Sequence, residues 1–333
     1  MSENEIWTPK NILSTASSCW EAITLQTGVK LDVFSCIAAG AAEPLALAEK
    51  LGADARAVTM LCNALAAMGL LKKEGEQFLN TEPASRYLVK SSPEYIGYII
   101  IHFYHTVASW WHLPQAIRTG AQISSVYEKT EDERESFLMG MHNLASALAP
   151  KIAEILDLGS AGTLLDLGGG PGTYAINFCL KNPDLQACVF DLPESRLYAQ
   201  RTISLAGVSD RVTFIPGNYM TDSIPGAYDA VWLSQILHAE GPDDCQKLVS
   251  FAAAALNPGG AIYIHDFILN DDMAGPAFPA VFSLNMLVAT KGGQAYSEAQ
   301  LRSMLEKAGV KNIRRLDFKG PNDSGIISGR VAE

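Results

Sequence analysis

The stretch that most constrains this chain is ten residues long. Thr163-Leu164-Leu165-Asp166-Leu167 is apolar apart from its single acid, and Gly168-Gly169-Gly170-Pro171-Gly172 follows without a spacer. A helical run then extends from Tyr174 to Leu180. Buried strand, glycine turn and helix, in that order, form the frame in which α/β proteins bring their backbone against a nucleotide-type ligand. The spacing separates two ligand classes. A dinucleotide fingerprint needs its third glycine at position 173, so that a pyrophosphate can sit on the helix start, and the chain has Thr173 there. Asp166-x-Gly168-x-Gly170-x-Gly172 instead lets the main chain approach a ligand without phosphate, with an acid at the strand end to meet an amine.

The methionine part of S-adenosylmethionine has that chemistry, and the following strands agree with it. Ala187-Cys188-Val189-Phe190-Asp191-Leu192 reads as a second strand whose acid comes 25 residues after Asp166. A carboxylate at such a tip accepts ribose hydroxyls. Val212 to Ile215 is a third strand, followed by Gly217-Asn218-Tyr219, where Asn218 suits the adenine amino group and Tyr219 a ring face. Tyr228 to Ser234 and Gly260 to Phe267 are the fourth and fifth strands. Gly168, Gly170, Asp166, Asp191, Leu192, Asn218, Tyr219 and Ser234 are the expected cofactor contacts, all on the edge where open α/β sheets bind ligands.

The first half has another period. From about residue 11 to 157 the apolar residues recur at helical spacing. Pro44 to Lys50 is a short helix ending near Gly52, and Asp54 caps a second that stops at Gly69. Leu70 to Lys73 and Gln77 to Asn80 then suggest a small hairpin, completing a winged-helix pattern. In many proteins that module binds DNA. Here six basic residues between Ala41 and Ser91 (Lys50, Arg56, Lys72, Lys73, Arg86, Lys90) are offset by six acids (Glu43, Glu49, Asp54, Glu74, Glu76, Glu82). Such a surface suits another protein subunit better than a phosphate backbone. The charge run from Glu128 to Glu135 is the solvated first turn of a helix, with Thr130 and Glu133 as a capping box.

Asp166 to Gly172, Asp191, Gly217-Asn218, Ile236-Leu237-His238, Leu256-Asn257-Pro258-Gly259-Gly260 and Ala308-Gly309-Val310 occur in one order over most of the chain. Together they resemble the class I S-adenosylmethionine-dependent methyltransferases, and more narrowly the caffeate and hydroxyindole O-methyltransferase type. The resemblance implies a Rossmann-like, mostly parallel sheet with an antiparallel last strand, preceded by an all-helical, winged-helix-like region. It implies a dimerisation domain at 1–95, linker helices at 96–157 contributing to the substrate pocket, and a cofactor-binding catalytic domain at 158–333. It also implies a homodimer formed through the first of these.

The resemblance makes His238 the base that takes the proton from a substrate hydroxyl. It places one steering acid at Asp266 and a second near Gln294-Ala295, where this chain has none. The common His-Asp-Trp sequence is replaced by His238-Ala239-Glu240. Trp110, Met141, His142, Phe282, Asn285 and Met286 are the expected substrate contacts, the last three sharing one helix face. His102, His105 and His112 lack the neighbours that a metal site requires, and no metal is expected.

Composition closes off other classes. The chain has 333 residues, 48% hydrophobic and 18% charged, enough for two globular domains. Its net charge of -11 argues against nucleic acid. The cysteines (Cys19, Cys36, Cys62, Cys179, Cys188, Cys245) are scattered and read as reduced thiols. Met1 to Lys10 is polar, and the most apolar run, Tyr95 to Tyr104, is too short to span a membrane, so a cytoplasmic location is expected.

The expected activity is methylation of a small aromatic hydroxylated molecule. The rivals are a methyltransferase acting on nitrogen, sulfur or carbon, a non-methylating relative of the same fold, and a winged-helix regulator that senses a small molecule.

Overall fold

The computed structural model describes residues 7–123 and 130–333. The chain forms two compact units, Met1–Val107 and Ala108–Glu333. The boundary falls within the helix Gly97–Trp110, where the sequence reading places its first division at 95. Glu128 and Lys129 of the charge run lie outside the described residues, while Thr130 and Glu133 form both bonds of the expected capping box at the head of the helix Glu131–Ser146.

The first unit is built from local signals. The helix Pro44–Leu51 ends at Gly52, whose φ of 61° only glycine adopts without strain. Asp54 Oδ1 accepts from the Ala57 amide at 2.8 Å and starts the helix Ala55–Ala67. Gly69 stops that helix at φ 77° as Leu70 N donates to Leu65 O. The hairpin pairs β1 (Leu71–Glu74) with β2 (Gln77–Asn80) in antiparallel register. Phe34, Leu47, Leu65 and Phe78 are fully buried and form the centre of this unit. Its first two helices, Pro9–Ser17 and Cys19–Lys30, leave Leu13 and Trp20 70% and 73% exposed.

The second unit is organised by a sheet. Its strands are β3 (Thr163–Leu167), β4 (Gln186–Asp191), β5 (Val212–Pro216), β6 (Tyr228–Ser234), β7 (Leu256–Leu269), β8 (Tyr296–Ser297), β9 (Lys311–Arg315) and β10 (Ser324–Arg330). The spatial order is β5-β4-β3-β6-β7-β10-β9, with β8 beside the end of β7. Strands β3 to β7 are mutually parallel, and β10 runs antiparallel between β7 and β9. The order therefore turns from leftward to rightward between β3 and β6, and the crevice past their carboxyl ends is where ligands bind in such sheets.

Strand alternation fills both faces. Leu165, Leu167, Val231, Leu233, Ile262 and Ile264 share one core cluster with side chains of the helices Pro242–Ala254 and Glu298–Lys307. Leu164, Val189, Trp232 and Tyr263 share the other with the helices Ala149–Ile155, Thr173–Lys181 and Arg196–Leu205. With both faces covered, the ligand must come to the edge. Among the described residues no helix is long and apolar enough to cross a membrane, and no group of three or more His, Cys, Asp or Glu could hold a metal ion.

Candidate functional site

Three glycines of the loop after β3 take left-handed angles: Gly168 at φ 68°, Gly170 at 52° and Gly172 at 74°. Space demands glycine too, since a Cβ on Gly168 would stand 2.8 Å from Ile236 Cγ2 and one on Gly169 2.6 Å from Asp166 Cγ. The loop is locked from the neighbouring strand. Asp191 Oδ2 accepts from Gly170 N at 2.7 Å, while its Oδ1 accepts from Leu192 N at 2.6 Å and Ser195 Oγ at 2.9 Å. Each carboxylate oxygen has two acceptor directions, so Oδ2 retains one for a ligand.

Asp166 lies beneath the loop, 1% exposed, and Ala175 N donates to its Oδ2 at 3.2 Å. Burial pushes its carboxyl up to about 7, with the nearby Asp191 charge adding to the rise. A buried acid with so little solvation has a strong demand for a cationic donor.

Across the crevice, His238 follows β6 in a short 3-10 turn, and Asp266 sits near the end of β7. His238 Nδ1 is 2.7 Å from Asp266 Oδ1, which also accepts from Phe267 N at 2.8 Å. The carboxylate is 3% exposed and the histidine 9%. A carboxylate oxygen accepts from an imidazole N–H, so Nδ1 is the donor of this bond, and in the neutral ring Nε2 is the acceptor. Phe282 meets the imidazole edge-on at 4.8 Å, and Phe267 lies nearly parallel to it at 6.0 Å. Phe278 stacks at 5.9 Å on Phe282, extending the aromatic wall.

The other expected residues are distributed as follows. Ser234 ends β6, with its Oγ 2.9 Å from His265 Nδ1. Asn218 turns its amide oxygen back to cap Met220 N, and the Tyr219 hydroxyl donates to Glu240 Oε1 at 3.1 Å. Trp110 Nε1 donates to Asn285 Oδ1 at 2.9 Å, which joins two of the expected substrate contacts. Met286 is buried, on the same helix as Phe282. His142 bonds through Nδ1 to Thr173 Oγ1 at 2.8 Å, at the start of the helix after the glycine loop. Neighbouring Met141 is half-buried. Leu138, one turn earlier, has its Cδ2 3.8 Å from where a Cβ on Gly170 would stand, so this helix packs on the loop.

Sequence reading missed Glu240 as a partner of Tyr219, and it missed Ser195 and His265 altogether. Ser195 lies four residues past a strand-tip acid, a signal that was available. His265 precedes Asp266 in an otherwise apolar stretch of β7, and nothing in the sequence pattern marks it.

Residues 112–311 match the O-methyltransferase domain, and residues 13–91, the helix-helix-hairpin region, match the O-methyltransferase dimerisation domain. The chain belongs to the O-methyltransferase family. It is 31% identical to 3-hydroxy-5-methyl-1-naphthoate 3-O-methyltransferase of Streptomyces sahachiroi over 328 residues, covering 96% of this chain and 95% of that one. It is 32% identical to the tetracenomycin polyketide synthesis 8-O-methyl transferase of Streptomyces glaucescens, covering 96% of each. Its fold superposes with a TM-score of 0.86 on human N-acetylserotonin methyltransferase, solved in complex with S-adenosylmethionine, at 24% identity over 100% of each chain.

The protein is an S-adenosylmethionine-dependent O-methyltransferase. Its own residues fit that cofactor: a glycine loop in which a Cβ on Gly168 or Gly169 would clash, an under-solvated buried acid, and a second acid with one acceptor direction left.

Proposed function

We propose that this O-methyltransferase methylates the hydroxyl of a small aromatic molecule, with His238 as general base and Asp266 as its positioning partner. The observation that carries this reading is the buried His238–Asp266 pair set in an aromatic wall at the crevice. S-adenosylmethionine, when bound, supplies an electrophilic methyl group on a sulfonium whose departure needs no acid. What remains for the protein is to align an oxygen and to take its proton. A phenol ionises near pH 10 and needs a base at neutral pH, a contribution of about 100- to 10000-fold. The bare Nε2 of His238 is the acceptor, and Asp266 stabilises the imidazolium that forms.

Gly168 and Gly170 would bind the methionine part through their backbone, Asp166 its ammonium, and Ser234 its carboxylate end. Asp191, with Leu192 beside it, would hold the ribose through Oδ2, and Asn218 and Tyr219 would border the adenine. Phe267, Phe278 and Phe282 favour a flat ring, which agrees with the naphthoate and the polyketide named for the two relatives. Trp110 and Asn285 would line the same acceptor space. The dimerisation-domain match and the exposed Leu13 and Trp20 support a homodimer.

Calorimetry with S-adenosylhomocysteine and a methyl-transfer assay on phenols test the two roles separately. Asp191→Ala should weaken binding by at least tenfold. His238→Ala should bind normally and turn over about 100-fold more slowly or worse. Full turnover in His238→Ala would remove the base, and unchanged binding in Asp191→Ala would remove the ribose contact.

A further inference from the structure

His265 takes no part in the proposed chemistry, yet it is fully buried at the end of the strand that carries Asp266. Strand alternation sends the two side chains to opposite faces. Asp266 reaches His238, and His265 reaches Ser234, its direct partner in the β6–β7 register. The contact is double. His265 Nδ1 is 2.9 Å from Ser234 Oγ, and the His265 carbonyl accepts from Gln235 N at 2.8 Å. Gln235 is one of the few non-glycine residues with a left-handed backbone, at φ 59°. Strained backbone of this kind persists where the surroundings over-determine it, and it gathers at functional sites. Here His265 holds the strain in place and so fixes the point where β6 leaves the sheet.

The remaining ring nitrogen decides the direction of the Ser234 bond. His265 Nε2 is buried with no hydrogen-bond partner, and the ring is enclosed by Trp232, Tyr174 and Phe318 at 5.7, 6.0 and 5.8 Å between centroids. Burial holds the imidazole neutral, pushing it down to about 4. A neutral ring carries one proton. An orphaned buried N–H is rarer in proteins than an orphaned acceptor, so the proton sits on Nδ1 and Nε2 is left as the bare acceptor. Nδ1–H then donates to Ser234 Oγ, which the Tyr174 hydroxyl also reaches; with both groups donating, the two lone pairs of that oxygen are filled and the serine hydroxyl must direct its own hydrogen outward.

We propose that His265 is a positioning residue whose Nδ1–H holds the Ser234 hydroxyl as an outward donor to the carboxylate of the cofactor's methionine end. The inference rests on the reading of Ser234 given above. It makes one half of the β7 tip serve the acceptor and the other half the cofactor, from adjacent residues on opposite faces.

Two measurements test it. The first uses the unaltered protein labelled with nitrogen-15 at histidine. Two-bond proton–nitrogen correlation should show His265, assigned by the signal missing in His265→Asn, as the Nδ1–H tautomer; the Nε2–H tautomer overturns the proposal. The second is calorimetry with S-adenosylhomocysteine, which carries the amino-acid tail, and 5′-methylthioadenosine, which lacks it.

His265→Leu should lose about tenfold in affinity for the first ligand and none for the second, as expected for one lost bond to a charged group. His265→Asn, whose amide N–H stands where Nδ1–H stood, should stay within about threefold of the unaltered protein. Equal losses for both ligands would mean a general structural role and would refute the proposal. Ser234→Ala separates the two layers. If it spares S-adenosylhomocysteine binding, the reading of Ser234 falls and the proposal with it. If it weakens that binding while His265→Leu does not, only the role of His265 falls.

Discussion

Asp166→Asn is the substitution whose effect the structure fixes most tightly. The carboxyl is 1% exposed, Ala175 N donates to it across 3.2 Å, and it faces a second acid, so burial pushes it up to about 7. In the unfolded chain an aspartate ionises near 3.9. Between those values the folded protein keeps a proton that the unfolded chain has lost, so folding stability falls as pH rises from about 4 to about 7. At 1.36 kcal/mol per pH unit over about three units, the ionised group costs of order 4 kcal/mol in the ligand-free protein. Asparagine keeps the bond from Ala175 and never ionises. Urea unfolding of the ligand-free protein should give similar stabilities for the two near pH 4. At pH 8 Asp166→Asn should be more stable by several kcal/mol. The same variant should bind S-adenosylhomocysteine at least tenfold more weakly at pH 8, because the ammonium loses its counter-charge. Parallel stability curves from pH 4 to pH 8 would refute the burial argument, and unchanged binding would refute the ammonium contact.

Gly168→Ala combines a left-handed backbone with a Cβ 2.8 Å from Ile236 Cγ2, and it should cost about 1–3 kcal/mol in thermal unfolding along with cofactor affinity. An unchanged melt would show that the loop relaxes freely. Phe282→Ala removes the ring that meets His238 at 4.8 Å, and it should raise the acceptor KM about tenfold while leaving S-adenosylhomocysteine binding intact. A defect in cofactor binding instead would move Phe282 out of the acceptor wall.

Much of the architecture was legible because its signals are local. Asp54, and Thr130 with Glu133, cap helices from within the same turn. β6 runs from Tyr228 to Ser234 as the pattern indicates. The two-residue β8 carries too few residues for any period to register. β7 extends to Leu256 and Leu269, beyond the expected Gly260 to Phe267, because its pairing with β6, β8 and β10 supplies hydrogen bonds that propensity does not report.

The site divides in the same way. The glycine spacing and the strand-tip acid are periodic features and could be read. What each acid touches could not, because it depends on how two strands are staggered. The register that sets Ser234 against His265 also brings Asp266 level with the His238 turn, 28 residues away in sequence. Asp191 shows the opposite limit: its tip position was legible, but not that three protein donors already occupy it.

The family resemblance places a second acid near Gln294-Ala295, and the structure shows what stands there. Ala295 is fully buried, and its amide donates to Ser283 Oγ at 3.0 Å. The Tyr296 hydroxyl donates to the Glu240 carbonyl at 2.6 Å. Gly293 lies so close beneath the His238 turn that a Cβ there would overlap the His238 carbonyl oxygen and stand 2.5 Å from Thr290 Oγ1. The segment thus supports His238 from its backbone side by contact, where a carboxylate would have acted on its ring. On the proposed reading, Gly293→Ala should push the His238 turn away from its place. Displacements of about 1 Å in a catalytic group cost about 100-fold in rate. Turnover should fall by about that factor, with S-adenosylhomocysteine affinity unchanged because Asp166, Asp191 and the glycine loop lie on other strands. Normal turnover in a folded Gly293→Ala protein would mean that Asp266 alone places the histidine.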